Sequence, residues 1–293
     1  MIKIPIIGVI INTQKEKARE LAEELLEYLD SKSIPYLLES GSARVISKAS
    51  RSAEITELQE KVDFIILFGG DGTLLHTASH FCGTGIPLLG INVGSLGFMT
   101  VIEKDCFKEA VDNLLADKYE VENRMMLTAE VYRSGKQVYK SYGLNDVVIS
   151  RGANFKLIGI ELYINGEFIS NYEGDGLLVA TPTGSTAYSL SAGGPIVHPR
   201  LKVILITPIC PHNLFMRPMV IGDEDEVSVN LKIPGKKMHL STDGRSILEL
   251  QNGDQIKMRK SSQEVSLVRF PGRDFYQILR EKMKVDMLYL FLP

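Results

Sequence analysis

The sequence predicts an α/β plus all-β chain: an N-terminal domain built on a parallel sheet, a β-sandwich domain after it, and a C-terminal helix returning to the first. Three observations carry this expectation. Apolar runs alternate with helical patterns over the first hundred residues, short alternating segments bounded by turn signals follow, and one last helical pattern closes the chain. A length of 293 residues suits two domains better than one core. We draw them at 1–103, completed by 273–293, and at 104–272.

Ile6 to Ile11 is short, β-branched and continuous, as a strand buried on both faces requires. Thr13 with Glu16 spells a capping box, opening a helix whose Ala18, Leu21, Ala22, Leu25, Leu26 and Leu29 recur at helical spacing. Val62 to Phe68 and Ile86 to Ile91 are two further buried-strand runs with a short helical pattern between them, so βαβ units and a Rossmann-like first domain are expected. After a helix through Phe107, Ala110, Val111, Leu114 and Leu115 the texture changes. Leu127 to Tyr132, Ile158 to Ile164 with its Asn165-Gly166 turn, Glu226 to Ile233 and Glu264 to Phe270 read as antiparallel strands. Asp274 to Met283, carrying Phe275, Ile278 and Leu279, is the returning helix.

Composition narrows the partners. A net charge of -3, with acids and bases mixed along the chain, offers no basic stripe for nucleic acid or an anionic membrane. Cys82, Cys106 and Cys210 are widely spaced, with no CxxC pair and no clustered histidines, so reduced thiols are expected rather than a zinc site. The apolar start at Met1 to Ile7 gives way to Asn12-Thr13-Gln14-Lys15 too early for a signal peptide, and no segment reaches the roughly 20 apolar residues of a membrane helix. A cytoplasmic protein is the expectation.

Gly69-Gly70-Asp71-Gly72-Thr73 follows a strand and opens a helix. Glycines let the backbone come close to a bulky anion, and the N–H groups of a helix start point partial positive charge at phosphate. An aspartate there makes a poor phosphate ligand, because anions repel; it makes sense as a proton acceptor or a metal-side group beside a transferred phosphoryl group, or merely as a helix cap. The place where a dehydrogenase would carry GxGxxG reads Ile11-Asn12-Thr13-Gln14, so hydride transfer is disfavoured. His76 and His80 have the spacing of a zinc pair but lack the intervening glutamate of HExxH; His76, one turn beyond the loop, is a candidate phosphate contact, and His80 a surface or packing residue.

A second dense cluster runs from Asn171 to Pro199, with the strand Leu177 to Ala180 and then TPTGSTAYSLSAGGP from 181 to 195. Hydroxyls and exposed amides at that density form a polar wall suited to a nucleotide; a serine-rich surface loop would not need the flanking glycine pairs or the buried-looking strand.

At these two blocks the sequence resembles the NAD kinase family, over nearly all of its length. GGDGT alone is shared with diacylglycerol and sphingosine kinases and phosphofructokinases. The specific combination adds Gly90-Ile91-Asn92, Gly97-Phe98, Asn145-Asp146, Asp175-Gly176, the 181–195 block, Pro208-Ile209-Cys210-Pro211-His212 and Arg217-Pro218. The resemblance implies that Asp71 accepts the proton of the ribose 2′-hydroxyl of NAD as it attacks the γ-phosphorus of ATP, which arrives as its Mg²⁺ complex. Gly70, Gly72 and Thr73 would belong to the phosphate loop and Asn145 and Asp146 would hold the NAD adenosine. Thr186, Ala187, Tyr188 and Ser191 would line the adenine side, Asp175 would face the nicotinamide portion, and Asp243, which matches the late Asp-Gly of the family, would be a further ligand-binding residue. A homodimer or homotetramer is implied, with Lys156 at a position that reaches the ligand; dedicated metal ligands are not implied.

Three places depart from the pattern: Glu173, where some relatives carry arginine; Arg245, where some carry an amide; and the apolar tail after Lys284, open as a packing strand or a subunit contact. A lipid kinase of the same superfamily is the first alternative, disfavoured by the 181–195 block and the lack of an amphipathic surface segment. A non-catalytic dinucleotide sensor is the second, disfavoured by Asp71 in an intact loop.

Overall fold

The computed structural model describes residues 4–100, 102–152, 157–213, 216–232, 238–272 and 274–289. It divides into unit 1, residues 1–123 with 265–293, and unit 2, residues 124–264. The boundary drawn from sequence at 103/104 lies inside unit 1, because the helix after it packs there rather than opening the sandwich: Phe107 meets Phe68 edge-on, ring centroids 5.8 Å apart.

Unit 1 runs β1 (Ile7–Ile11), α1 (Glu16–Ser31), β2 (Tyr36–Glu39), α2 (Ser40–Ile46), β3 (Ser52–Ala53), α3 (Ile55–Lys61), β4 (Phe64–Gly69), α4 (Asp71–Phe81), β5 (Leu88–Asn92), β6 (Ile102–Glu103) and α5 (Phe107–Leu115). Its parallel strands lie in the order β3-β2-β1-β4-β5, with β6 also on β5. Every residue of β1 is buried, as its unbroken apolar run requires. The order reverses between β1 and β4, and ligands of such sheets bind outside the carboxyl ends of the strands at that switch. The Gly69 to Thr73 loop leaves β4 there.

Helix α1 buries the six apolar residues read from its periodicity, but the expected capping box does not form. Lys15 is the N-cap without a side-chain cap bond. Asn12 shapes the approach instead: its Oδ1 accepts from Gln14 N at 3.0 Å and its carbonyl from Lys15 N at 3.1 Å.

Unit 2 contains most of β7 (Glu120–Arg133), then β8 (Lys136–Gly143), β9 (Asp146–Ser150), β10 (Ile158–Ile164), β11 (Glu167–Gly174), β12 (Gly176–Ala180), α6 (Tyr188–Ser191), β13 (Val203–Ile209), β14 (Met219–Gly222), β15 (Val227–Lys232), β16 (Met238–Thr242), β17 (Arg245–Leu250) and most of β18 (Gln255–Arg269). One sheet is ordered β14-β13-β12-β9-β16-β17; the facing layer carries β11-β10-β15-β18 and the β7-β8 pair. Inward residues of both layers, among them Leu127, Ile149, Ile160, Val179, Ile206, Val229 and Leu240, form one apolar core. Asn165 and Gly166, both at positive φ, make the β10-β11 hairpin signalled by sequence. The strand expected at Glu264 to Phe270 is the end of the longer β18.

The end of β18 pairs with β5 in unit 1, and α7 (Phe275–Tyr289) follows. Helix α7 does return to unit 1: Ile278 joins its core, Phe275 lies 6.2 Å from the Phe98 ring, and Lys282 Nζ sits 5.1 Å from that ring. Residues 285–289, the start of the apolar tail expected as a packing strand or a subunit contact, continue this helix rather than forming a strand. No helix among the described residues is long and apolar enough to cross a membrane.

Candidate active site

In unit 1, Asp71 is the first residue of α4, and Gly70 before it makes no side-chain cap. The carboxylate does not turn back onto its own helix. Its Oδ2 accepts from Phe98 N at 2.7 Å; its Oδ1 accepts from Met99 N at 3.1 Å, Thr100 N at 2.9 Å and the Thr100 hydroxyl at 3.0 Å. The segment after β5 thus aims Asp71, and Oδ2, with one donor, keeps lone-pair capacity that Oδ1 has spent. Asn92 braces the segment, accepting from Gly94 N at 2.6 Å and donating to Ser95 O at 2.7 Å.

The glycines of this site divide by what would crowd them. A Cβ at Gly69 would overlap the Thr73 side chain, and one at Gly97 would overlap the Asp71 carboxylate and Thr100, so internal packing demands both. At Gly70 and Gly72 a Cβ would meet nothing within 4 Å. There the lack of a side chain leaves room on the outer face of the loop for a close-lying anion. Thr73 is held in place, its hydroxyl accepting from Asn12 Nδ2 at 3.2 Å across the ends of β1 and β4. His76 is exposed and stacks edge-on with His80 at 4.9 Å between ring centres.

Unit 2 gathers a second group. Asn145 and Asp146 are buried at the start of β9, and Asn145 Oδ1 has no hydrogen-bond partner among the described residues. The hydroxyl-rich block packs directly on them: Thr181 N donates to Asn145 O at 2.9 Å, and a Cβ at Gly184 would overlap that same carbonyl. Thr186 turns its hydroxyl to Thr183 O at 3.3 Å, Ala187 is half-buried, and Tyr188 and Ser191 are exposed along α6. Burial, with Cys210, Asp175 and Asp146 nearby, raises the Tyr188 hydroxyl, so Tyr188 stands in the field of two of the predicted site carboxylates. Asp175 is half-buried and paired with Arg151, Nε to Oδ1 2.5 Å. Burial first, then the neighbouring Asp243 carboxylate, push Asp146 up to about 7. Asp243 is raised as well, by burial, against three backbone hydrogen bonds and Arg245 that favour its charge. Lys156 lies outside the described residues.

Sequence reasoning did not find the donors to Asp71, although Gly97-Phe98 marked their position, nor Arg151, nor Arg124, a buried cation in β7 whose Nη1 donates to Thr183 Oγ1 at 3.1 Å. No local signal could have found the last two, because each pairing joins residues distant in sequence. Among the described residues no three His, Cys, Asp or Glu side chains gather as a metal cage.

A parallel sheet with an oriented carboxylate and open glycines at its switch point, and a sandwich presenting an amide with a vacant acceptor among hydroxyls, define a nucleotide-dependent phosphotransferase class. The comparisons resolve the class further. Residues 7–119 match the ATP-NAD kinase N-terminal domain and residues 144–270 the ATP-NAD kinase C-terminal domain. The NAD kinase of Moorella thermoacetica is 40% identical over 278 residues, 95% of this chain and 89% of that one. The NAD kinase of Geotalea daltonii is 39% identical over 264 residues, 90% of this chain and 93% of that one. A yeast NADH kinase solved with NADH superposes with a TM-score of 0.89 at 26% identity, covering 96% of this chain and 88% of its own. An Archaeoglobus fulgidus NAD kinase solved with ATP shares the fold, with a TM-score of 0.75 at 24% identity over 95% of this chain and 98% of its own. The chain belongs to the ATP-NAD kinase family, and its enzymatic class is that of an NAD kinase.

Proposed function

We propose that the chain moves the γ-phosphoryl group of ATP onto the 2′-hydroxyl of the adenosine ribose of NAD, giving NADP and ADP, with Asp71 as the general base. The 2′-oxygen forms the new bond to phosphorus, the bond to the β,γ-bridging oxygen breaks, and ADP leaves with that electron pair. The hydroxyl proton passes to Asp71 Oδ2 as the attack proceeds. The observation that carries this reading is the orientation of Asp71: four hydrogen bonds from residues 98–100 fix a carboxylate whose Oδ2 takes one donor among the described residues. Phosphoryl transfer needs positioning and charge neutralisation more than covalent chemistry, and such a group is pre-positioned.

Gly70, Gly72 and Thr73 form the phosphate-side loop, with His76 one turn on as a further phosphate contact. Asn145 and Asp146 bind the adenosine, Thr186, Ala187, Tyr188 and Ser191 line the adenine side, and Asp175 faces the nicotinamide end. Mg²⁺, arriving with ATP, would supply charge neutralisation at the phosphates. The enzyme works in the cytoplasm as a homodimer or homotetramer, with Lys156 reaching the dinucleotide; light scattering checks the assembly.

The test incubates the chain with NAD, ATP and Mg²⁺ and couples any NADP formed to glucose-6-phosphate dehydrogenase. The wild-type chain gives signal. Asp71→Asn loses on the order of 10² to 10⁴ in kcat while NAD binding, measured by calorimetry, stays within a few-fold. Parallel loss of binding and rate would contradict the base assignment, and no NADP from the wild type would favour a non-catalytic dinucleotide sensor.

A further inference from the structure

We propose that Asp243 is a positioning residue for Asn145 and Asp146, holding the backbone that presents them. The inference rests on the reading of Asn145 and Asp146 as adenosine contacts. It replaces a direct ligand role for Asp243, expected from its place in the family pattern, with an action through its neighbours.

The hairpin chemistry explains why Asp243 stands where it does. Strands β16 and β17 are joined by Asp243-Gly244, with φ of 52° and 69°, and Thr242 pairs with Arg245 across the turn. Two positive φ values in a two-residue loop are the geometry that Asp-Gly supports. On its other side β16 pairs with β9, Thr242 opposite Val147, so the next residue of the turn falls beside Asp146. Asp243 N duly donates to Asp146 O at 3.0 Å.

Three successive amides run into β9 at this point. The Asp243 carboxylate takes all three: Leu144 N at 2.8 Å on Oδ2, and Asn145 N at 2.7 Å and Asp146 N at 3.1 Å on Oδ1. The opposite side of the same peptide is held by Thr181 N and by Gly184, whose missing side chain lets it lie against Asn145 O. Residues 144–146 are therefore clamped from two directions. The side chain this clamp presents is that of Asn145, only 8% exposed, whose Oδ1 finds no partner among the described residues. A buried acceptor left unmade costs free energy, and a ligand donor satisfies it.

Asp243 also sets the charge around Asp146. The groups facing the pair are Arg245 beside Asp243, and the Tyr188 hydroxyl, itself near Asp175 and Cys210, on the Asp146 side. The charge of the Asp243 carboxylate favours a proton on the buried Asp146.

The experiment measures NAD binding to the full chain by calorimetry across about pH 5.5 to 8.5, the range in which a carboxyl raised to this extent titrates. It uses wild type, Asn145→Ala, Asp243→Asn and Asp243→Glu. Asn145→Ala weakens binding about tenfold or more, the effect of one buried hydrogen bond lost. Asp243→Asn, which leaves one amide without an acceptor, weakens it by a similar factor, with kcat at saturating NAD within a few-fold. It also moves the midpoint of the pH dependence to lower pH, whichever form of Asp146 binds NAD, because a neutral neighbour no longer favours the proton. Asp243→Glu keeps the charge but misplaces it, so affinity falls while the midpoint stays near that of the wild type. If Asn145→Ala binds NAD normally, the adenosine reading falls and this inference with it. If Asn145→Ala loses affinity while Asp243→Asn retains both affinity and midpoint, the positioning role alone is overturned. Failure of both Asp243 variants to fold, with Asn145→Ala folded, would make Asp243 a structural residue and equally overturn it.

Discussion

Asp71 shows how one side chain acquires a task from residues almost thirty positions away. The sequence indicated a glycine-flanked carboxylate at a helix start, and the chemical argument against a phosphate ligand left proton transfer or a place beside the metal. It could not indicate the donors, because the pairing of Asp71 with Phe98, Met99 and Thr100 depends on β4 and β5 lying side by side. Gly97 is the residue-scale test of that arrangement, since any Cβ there would overlap the Asp71 carboxylate. Gly97→Ala is expected to lower kcat by more than tenfold and to destabilise unit 1 by about 1–3 kcal/mol through overpacking. Urea unfolding alongside the coupled assay measures both, and unchanged kcat would show that the orientation of Asp71 is dispensable.

At the scale of elements, the strands buried on both faces were legible because β1, β4 and β5 are unbroken apolar runs, and α1 because its apolar stripe keeps helical spacing. Cap chemistry was less legible. Thr13 and Glu16 have the spacing of a capping box, but Asn12, anchored at the end of β1 through Thr73, bends the chain first and leaves Lys15 at the cap. Helix α7 carries a prediction of its own: Ile278→Ala removes a buried side chain from the unit 1 core and should cost about 2–5 kcal/mol, read from the urea midpoint. The start of β9 carries another. Asp146, pushed up to about 7 by burial and Asp243, binds a proton in the folded state that the unfolded chain, near about 3.9, has already released. Stability therefore falls as pH rises from about 4 to about 7 and levels off above it. Asp146→Asn should flatten part of that decline in urea midpoints; an equally steep decline in the variant would contradict the assignment.

For the whole molecule, under the proposed function each unit would carry a separable part of the chemistry. Unit 1 would hold the transfer loop at the switch point of its parallel sheet, and unit 2 the recognition group at the head of β9. The Asp-Gly turn was legible as a family match, but its action on 144–146 was not, since it follows from the register of three strands. Changes in unit 1 should therefore appear in kcat, and changes at Asn145 in the KM for NAD. The most direct measurement of the central claim is single-turnover transfer from γ-³²P-labelled ATP to NAD, with product position established by release of label with a 2′-specific phosphatase activity. The wild-type chain should place label on the 2′-oxygen of the adenosine ribose, and Asp71→Asn, saturated with NAD, should do so on the order of 10² to 10⁴ times more slowly. Label transfer by Asp71→Asn at the wild-type rate would contradict the account.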